Sequence, residues 1–440
     1  METVLVIGAA RSGIAVSKLL LKNGYHVVLT DSNEIKEKAE FQDLGIEVFD
    51  GGHPDCLKDK EYAFIVKNPG IPYRVPFVHY FVEQNAKIYT EIEVAYRFAK
   101  NFNYAAVTGT DGKTTVTTLL YEMLNRQKKS LVAGNIGTPL CELVLEHTDT
   151  DYNVALELSN FQLLGIETFR PHVSTVTNLA PDHLDYMDSL EAYYQSKMRI
   201  YENTNADDYF IRNVDDENVV KYAQNIPCQV IDFSLKRKDV DLYKDDKYAY
   251  YKGTQLFTLS DLKIVGEFNC GNAMMASCMA YLMGVSLFNI QEVIREFSGV
   301  EHRIEYVDTI DNVRFYNDSK ATNTHAACAG LSAFEKNVIL LCGGKDKHIS
   351  FDDLKQYDAV VKKCISFGQT KDKFKDIFTN QISVETMKDA FEKAVLSAKP
   401  GDIVLLCPAC SSFDQFKNYE IRGEIFKQMV HDYASKRNEE

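Results

Sequence analysis

Ala106-Val107-Thr108-Gly109-Thr110-Asp111-Gly112-Lys113-Thr114-Thr115 is the stretch on which the reading of this chain turns. An apolar run with strand character ends in a turn holding two glycines. Lys113 and Thr114 follow, and then a segment with apolar residues at Val116, Leu119, Leu120, Met123 and Leu124, the spacing of one helical face. This is the layout of a phosphate-binding loop, in which backbone N–H groups cradle phosphates, a lysine reaches the terminal ones and a hydroxyl ligates magnesium. The helix start adds about half a positive charge facing the anion. The full eight-residue pattern is not met, because its first glycine falls at Val107. On the pattern alone, Gly109 to Thr115 is either a nucleotide loop or a plain strand–turn–helix junction.

Upstream, Val4 to Ile7 forms a buried-strand run that ends in Gly8, and Ala9-Ala10-Arg11-Ser12-Gly13 leads into a helical stretch reaching Leu21. His26 to Thr30 is a second strand, closed by Asp31 and Ser32. An acid about 20 residues past the first glycine is the spacing of dinucleotide-binding units. Ala10 replaces the second glycine, which restricts close approach of a pyrophosphate. Glu91 to Lys100 reads as a helix closing this segment.

Downstream, Val154 to Ser159 is a strand carrying Glu157. A lone buried carboxylate is costly, so Glu157 requires a cation or a place at the strand end. Val173 to Thr177 is another strand, running into Asn178 and on to Asp185. The tyrosine-rich stretch from Asp239 to Lys252 reads as surface strands and turns, and Glu267 to Met283 as a helix. Past the Ser298-Gly299 break, strands and helices alternate again: Val338 to Cys342, a helix through Met387 and Ala398, and Asp402 to Cys407. The expectation is an α/β chain of three domains. Residues 1–93 form a Rossmann-like domain, 94–298 a central P-loop ATPase-like domain, and 299–440 a second Rossmann-like domain.

The 440 residues carry a net charge of −14, which argues against nucleic acid as a main partner. No run of 18 apolar residues exists, so no membrane insertion is expected. Met1-Glu2-Thr3 lacks the basic start of a signal peptide. The ten cysteines are scattered, with one CxxC at Cys407 and Cys410, and read as reduced thiols of a cytoplasmic protein.

Seven blocks together resemble the Mur ligase family over essentially the whole chain. They are Gly109 to Thr115, Gly134-Asn-Ile-Gly-Thr-Pro139, Glu157-Leu-Ser-Asn-Phe-Gln162, Asn178 to Asp185, Glu301-His-Arg303, Asn317 to Asn323, and Pro408-Ala-Cys-Ser-Ser-Phe-Asp-Gln-Phe-Lys-Asn-Tyr419. The last is most similar to the family's D-glutamate-adding branch. The resemblance implies three domains holding, in order, the UDP substrate, ATP and the incoming amino acid. It implies that the alanyl carboxylate of UDP-N-acetylmuramoyl-L-alanine attacks ATP to give an acyl-phosphate, which the D-glutamate amine then opens through a tetrahedral intermediate.

It also implies residue roles. Gly109, Thr110, Asp111, Gly112, Lys113, Thr114 and Thr115 would cradle ATP, with Asn272, Arg303 and Asp318 contacting the rest of the nucleotide. Thr114 and Glu157 would ligate one Mg²⁺, and His183 and Lys197 would attend a second. An ammonium has no acceptor for a metal, so Lys197 would have to be carbamylated, as its counterpart is in related ligases. The UDP end would meet Gly8, Ala9, Arg11, Ser12, Gly13, Asp31, Ser32 and Asn135. D-glutamate would meet Thr322, Lys347, Ser412 and Tyr419, where the family more often has Phe in place of Tyr419. Phe268 stands where the family usually has His, and Asp111 where it usually has Asn. The resemblance further implies a cytoplasmic monomer. Two alternatives are a folylpolyglutamate-synthase-like ligase and a non-catalytic nucleotide-binding subunit.

Overall fold

The computed structural model describes residues 1–440 apart from Lys100, Asp149, 182–186, Asp188, 348–349 and Glu440. Its central strands, such as Thr3–Ile7, Tyr152–Glu157, Val338–Gly343 and Ile403–Leu406, are the continuous apolar runs of the sequence, buried along nearly their whole length. Such strands suit parallel sheets covered by helices on both faces. The described residues form three sheets in two compact units.

The first unit, Met1–Leu259 with Gly271–Val293, holds two sheets. In one, β1 (Thr3–Ile7), β2 (His26–Thr30), β3 (Glu47–Phe49), β4 (Phe64–Lys67) and β5 (Ile88–Tyr89) lie in the order β3-β2-β1-β4-β5, all parallel. The other is built from β6 (Phe102–Thr108), β7 (Ser130–Gly134), β8 (Tyr152–Glu157), β9 (Val173–Val176), β10 (Tyr209–Asn213), β11 (Gln229–Phe233), β12 (Leu242–Lys244), β13 (Tyr248–Tyr251) and β14 (Thr254–Thr258). Their order is β14-β13-β12-β11-β10-β9-β6-β8-β7. It is parallel except for β12-β13-β14, the tyrosine-rich stretch, which folds back on itself as an antiparallel edge.

One core joins the two sheets, with Val4, Val16 and Leu20 in the same cluster as Leu140, Leu156 and Phe169. Helix Glu91–Phe98 links them and runs across position 93. Its buried Glu91 carboxylate accepts from the N–H groups of Leu140 and Cys141, capping helix Leu140–Glu146 from a distance. Its buried Glu93 accepts from the N–H groups of Glu167, Thr168 and Phe169. Backbone donors thus hold both acids, and Arg97 Nε adds a bond to Glu93 at 2.8 Å.

The second unit, Ser260–Cys270 with Ile294–Glu440, contains β15 (Glu305–Ile310), β16 (Val313–Asn317), β17 (Val338–Gly343), β18 (Val361–Phe367), β19 (Gln381–Ser383) and β20 (Ile403–Leu406). The order is β15-β16-β20-β17-β18-β19, with only the β15/β16 hairpin antiparallel. Strand alternation divides its core: Val338, Leu340 and Cys342 enter one cluster, Ile339 and Leu341 the other. Among the described residues no helix is long and apolar enough to cross a membrane. All ten cysteines are free thiols. Cys407 and Cys410 diverge, the first meeting Asp318 and the second Thr370, so the CxxC does not form a metal clip.

Candidate functional site

The opening stretch folds as its pattern requires. β6 ends at Thr108, Gly109 takes φ +144°, Gly112 takes φ +79°, and the helix Lys113–Gln127 begins. Both glycines are sterically necessary. A β-carbon on Gly109 would lie 1.9 Å from Thr177 Oγ1, and one on Gly112 2.5 Å from Asn272 Oδ1. Among the described residues no side chain caps this helix, whose first turn is the kind of N–H cluster that suits an anion.

The loop is bolted to the end of β9. Thr110 N–H donates to the Asn178 carbonyl (3.1 Å) and Asp111 N–H to Asn178 Oδ1 (2.9 Å). Thr177 Oγ1 donates to the Asp111 carbonyl at 2.5 Å. Thr177 was not among the candidates. Its signal was only that it closes an apolar strand next to Asn178. The Asp111 side chain is exposed, so the residue serves the loop through its backbone.

Three other candidates converge here. Lys113 Nζ donates to the Thr110 carbonyl at 2.7 Å. Lys197, 2% exposed, donates to the Gly109 carbonyl at 2.8 Å, with its Nζ 4.6 Å from the Tyr193 ring centroid. Two lysines far apart in sequence therefore hold successive carbonyls of one loop. Asn272 stands against Gly112, just before the helix start.

Glu157 is the last residue of β8, in register with Val107 of β6 and Gly134 of β7. It is 1% exposed. Asn135 Nδ2 donates to its Oε1 at 2.8 Å, which sets Asn135 beside the candidate metal ligand. Oε2 is buried with no hydrogen-bond partner among the described residues. A bare buried carboxylate oxygen is costly. A hard cation is the partner that such an oxygen suits, with the Thr114 hydroxyl on the neighbouring helix start as a second oxygen donor. The residues present thus fit a magnesium ion. His183 lies outside the described residues.

At the first turn, Gly8 takes φ +102° and its N–H donates to the Thr30 carbonyl. A β-carbon on Gly13 would lie 1.8 Å from the Gly8 carbonyl oxygen, so Gly13 lets the helix Arg11–Lys22 start against the strand end. Asp31 Oδ2 accepts from Ala9 N–H at 2.7 Å, and Oδ1 from Asn33 N–H at 2.9 Å. Burial pushes the Asp31 carboxyl up, but the hydrogen bonds from Ala9 and Asn33, with His53 nearby, outweigh it and hold it below the usual range. Ser12 Oγ meets Asn68 Nδ2 at 3.2 Å, while Arg11 and Ser32 are exposed.

In the second unit, Asp318 is buried and its Oδ1 accepts from Ile304 N–H; burial pushes its carboxyl up to about 7. Arg303 is exposed. Ser412 is buried, Thr322 half-buried and Lys347 exposed. Tyr419 opens the last helix with its ring 5.9 Å, edge to face, from that of His302. Glu301, His302 and Glu424 bring potential metal ligands within 4.8 Å of one another. Asn317 Nδ2, its amide orientation fixed by Ser319 N–H on Oδ1, donates to His302 Nδ1 and so leaves the proton of a neutral ring on Nε2. Lys427 holds Glu301 and Glu424, so this cluster is an ion network and not a metal centre.

The family models for the Mur ligase middle domain and the Mur ligase glutamate ligase domain match residues 107–280 and 302–410. The UDP-N-acetylmuramoylalanine–D-glutamate ligase of Geobacillus sp. strain WCH70 is 43% identical over 440 residues, covering 97% of each chain. That of Bacillus cereus strain G9842 is 41% identical over 443 residues, covering 98% of this chain and 97% of its own. Among solved structures, the MurF ligase from Thermotoga maritima in complex with ADP superposes with a TM-score of 0.57 at 16% identity, over 94% of this chain and 96% of that one. At that identity the likeness speaks for the fold.

Proposed function

The chain belongs to the Mur ligase family, and from that premise we propose that it joins D-glutamate to the alanyl carboxylate of UDP-N-acetylmuramoyl-L-alanine, converting ATP to ADP and phosphate in peptidoglycan precursor synthesis. The observation that carries the reading is one constellation. A helix start with no side-chain cap, Lys113, and the buried Glu157 Oε2, which has no hydrogen-bond partner among the described residues, lie at the ends of adjacent strands.

The chemistry explains why such a site is needed. A carboxylate attacking a triphosphate brings two anions together, so positioning and positive charge must supply most of the rate. The substrate carboxylate oxygen bonds to the γ-phosphorus as the bond to the β-phosphate bridging oxygen breaks, giving an acyl-phosphate and ADP. The neutral amine of D-glutamate then adds to the acyl carbon, and the tetrahedral adduct collapses by expelling phosphate.

In this reading Gly109 to Thr115 cradle the phosphates, and Lys113 turns from the Thr110 carbonyl to the β- and γ-phosphates. Thr114 and Glu157 hold one Mg²⁺, and His183 and a carbamylated Lys197 attend a second; magnesium, when bound, supplies positive charge against the triphosphate oxygens. Asn272, Arg303 and Asp318 contact the nucleotide. The turn from Gly8 to Gly13, Asp31, Ser32 and Asn135 serve the UDP substrate, and Thr322, Lys347, Ser412 and Tyr419 the amino acid. We assign these tasks to residues 1–93, 94–298 and 299–440 of a cytoplasmic monomer.

The deciding assay is phosphate release with ATP, Mg²⁺ and UDP-N-acetylmuramoyl-L-alanine across a panel of D- and L-amino acids. Release dependent on D-glutamate is expected. Equal release with L-glutamate, or release without the muramoyl substrate, overturns the reading. For Lys197, full turnover by Lys197→Ala, unchanged by excess formate, would rule out the carbamate role.

A further inference from the structure

Arg422 is fully buried in the second unit, in the first turn of helix Tyr419–Glu439. Its Nε donates to Ser319 Oγ at 3.0 Å, Nη2 to the Ser319 carbonyl at 2.7 Å and Nη1 to the Cys410 carbonyl at 3.0 Å. All three acceptors belong to neutral groups. Asp414 and Asp318 act on the guanidinium through space without hydrogen-bonding it, and a buried cation held in this way calls for a reason. Burial pulls the guanidinium down to about 10, so it stays charged at neutral pH.

The residues it holds are informative. Ser319 follows β16 and Cys410 follows β20, adjacent parallel strands; the next strand, β17, ends in Gly343, and Gly344 follows. Lys345 N–H donates to the Ser411 carbonyl, and a β-carbon on Gly344 would lie 2.4 Å from that oxygen and 3.5 Å from Arg422 Nη1. Ser319 Oγ in turn donates to the Tyr419 carbonyl at 2.8 Å. The guanidinium is therefore packed behind loops at the carboxyl ends of three neighbouring strands, where open α/β sheets bind ligands. Thr322, Lys347, Ser412 and Tyr419 all sit on those loops or at the start of that helix. Beside Cys410, the Ser411 hydroxyl is buried with no hydrogen-bond partner among the described residues, a polar group held ready with nothing to bond.

We infer that Arg422 is the positioning residue of the amino-acid site, tying the loop after β16 to the loop after β20 beside Gly344 and supplying the buried positive charge that favours an amino dicarboxylate. Its fork reaches two loops at once from a single planar group, which no lysine can do. The inference rests on the functional reading above, because it presumes that those loops receive D-glutamate.

The test compares Arg422→Met and Arg422→Lys with the wild type by phosphate release, taking KM separately for D-glutamate, ATP and the muramoyl substrate. Losing hydrogen bonds to a charged group corresponds to about a 10- to 100-fold change. KM for D-glutamate should rise towards the top of that range in Arg422→Met and towards the bottom in Arg422→Lys, while the other two KM values stay within about twofold. A merely structural role would move all three together, and that result, or an unchanged KM for D-glutamate, overturns the inference alone. Should Arg422→Met fail to fold, Arg422→Lys decides on the same criterion. If the wild type releases no phosphate with D-glutamate, the functional reading falls and takes this inference with it.

Discussion

Two strand–turn–helix junctions in the first unit, Gly8 to Gly13 and Gly109 to Lys113, share a plan and differ in what they offer an anion. Each follows a central parallel strand, opens on a glycine of positive φ and leads into a helix without a side-chain cap. At the second turn, two lysines meet the loop carbonyls, and on the next strand a buried carboxylate oxygen has no partner among the described residues. At the first, an acid has already taken the Ala9 N–H, Arg11 is exposed, and the buried Lys67 at the end of β4 donates to the carbonyls of Asn68, Pro69 and Ile71. The second turn is equipped for a high negative charge whose bonding changes. The first is equipped for a group that has only to be held. The same backbone device thus serves chemistry in one place and grip in the other, and the side chains on neighbouring strands make the difference.

The sharpest way to break this contrast is to remove the cation. Lys113→Ala should lower kcat for phosphate release by about 10²- to 10³-fold, the usual loss for one preorganised charge contact in a transition state. Its bond to the Thr110 carbonyl is worth only about 1 kcal/mol, so thermal unfolding should shift by a few degrees at most. Arg11→Ala, its counterpart at the first turn, should leave kcat unchanged and alter only KM for the muramoyl substrate. A comparable kcat loss in both would erase the distinction.

Glycine substitutions sharpen it further. Gly109→Ala and Gly13→Ala each force a β-carbon within 2 Å of an oxygen, 1.9 Å for the first and 1.8 Å for the second. Each should cost about 1–3 kcal/mol, read from denaturant unfolding. The functional damage should separate, with ATP binding by calorimetry weakened in Gly109→Ala and binding of the muramoyl substrate weakened in Gly13→Ala.

The contrast also marks how far the sequence could be read. The strands were legible because burial on both faces leaves continuous apolar runs, and the phosphate loop because glycine, lysine and threonine must fall at fixed offsets. Glu157 stood out because an acid in a buried strand is anomalous. Thr177 and Arg422 were illegible for the opposite reason. A threonine ending a strand and an arginine in a polar helix look ordinary, and only the folded chain brings Thr177 against Gly109 and encloses Arg422 between Ser319 and Cys410. The hydrogen bond from Asn135 to the Glu157 carboxylate, made by the neighbouring ends of β7 and β8, was likewise not legible, because it depends on the strand order. Glu91 was equally opaque, since its carboxylate meets the backbone N–H groups of Leu140 and Cys141, whereas Glu93 also pairs with Arg97 one helical turn on.

A smaller effect is expected at Asp31, and its pH dependence is diagnostic. The carboxyl is held below its ordinary value, so the folded state binds the proton more weakly than the unfolded chain. The stabilisation it provides is present above the ordinary value of 3.8 and is lost as pH falls below it. Asp31→Asn cannot accept from both Ala9 and Asn33 and should cost about 1 kcal/mol at pH 7. The gap in melting temperature between wild type and variant should close as pH is lowered through that range. A gap constant from pH 7 to pH 3 would mean that the Ala9 contact does not depend on the charge of Asp31.

The smallest effect is expected at Asp111, which places an acid in the turn meant for phosphates. Its backbone does the holding: the N–H donates to Asn178 Oδ1, and the carbonyl accepts from Thr177 and Asn178. The carboxylate itself is exposed, where water and salt screen it from anything beyond about 8 Å. Asp111→Asn keeps every one of those backbone bonds and removes only the screened charge. Turnover and KM for ATP should therefore change by less than about threefold, with any gain in ATP affinity growing as ionic strength is lowered. A tenfold or larger change that salt does not move would show that this side chain acts at short range, and that the second turn, like the first, uses an acid to shape its anion site.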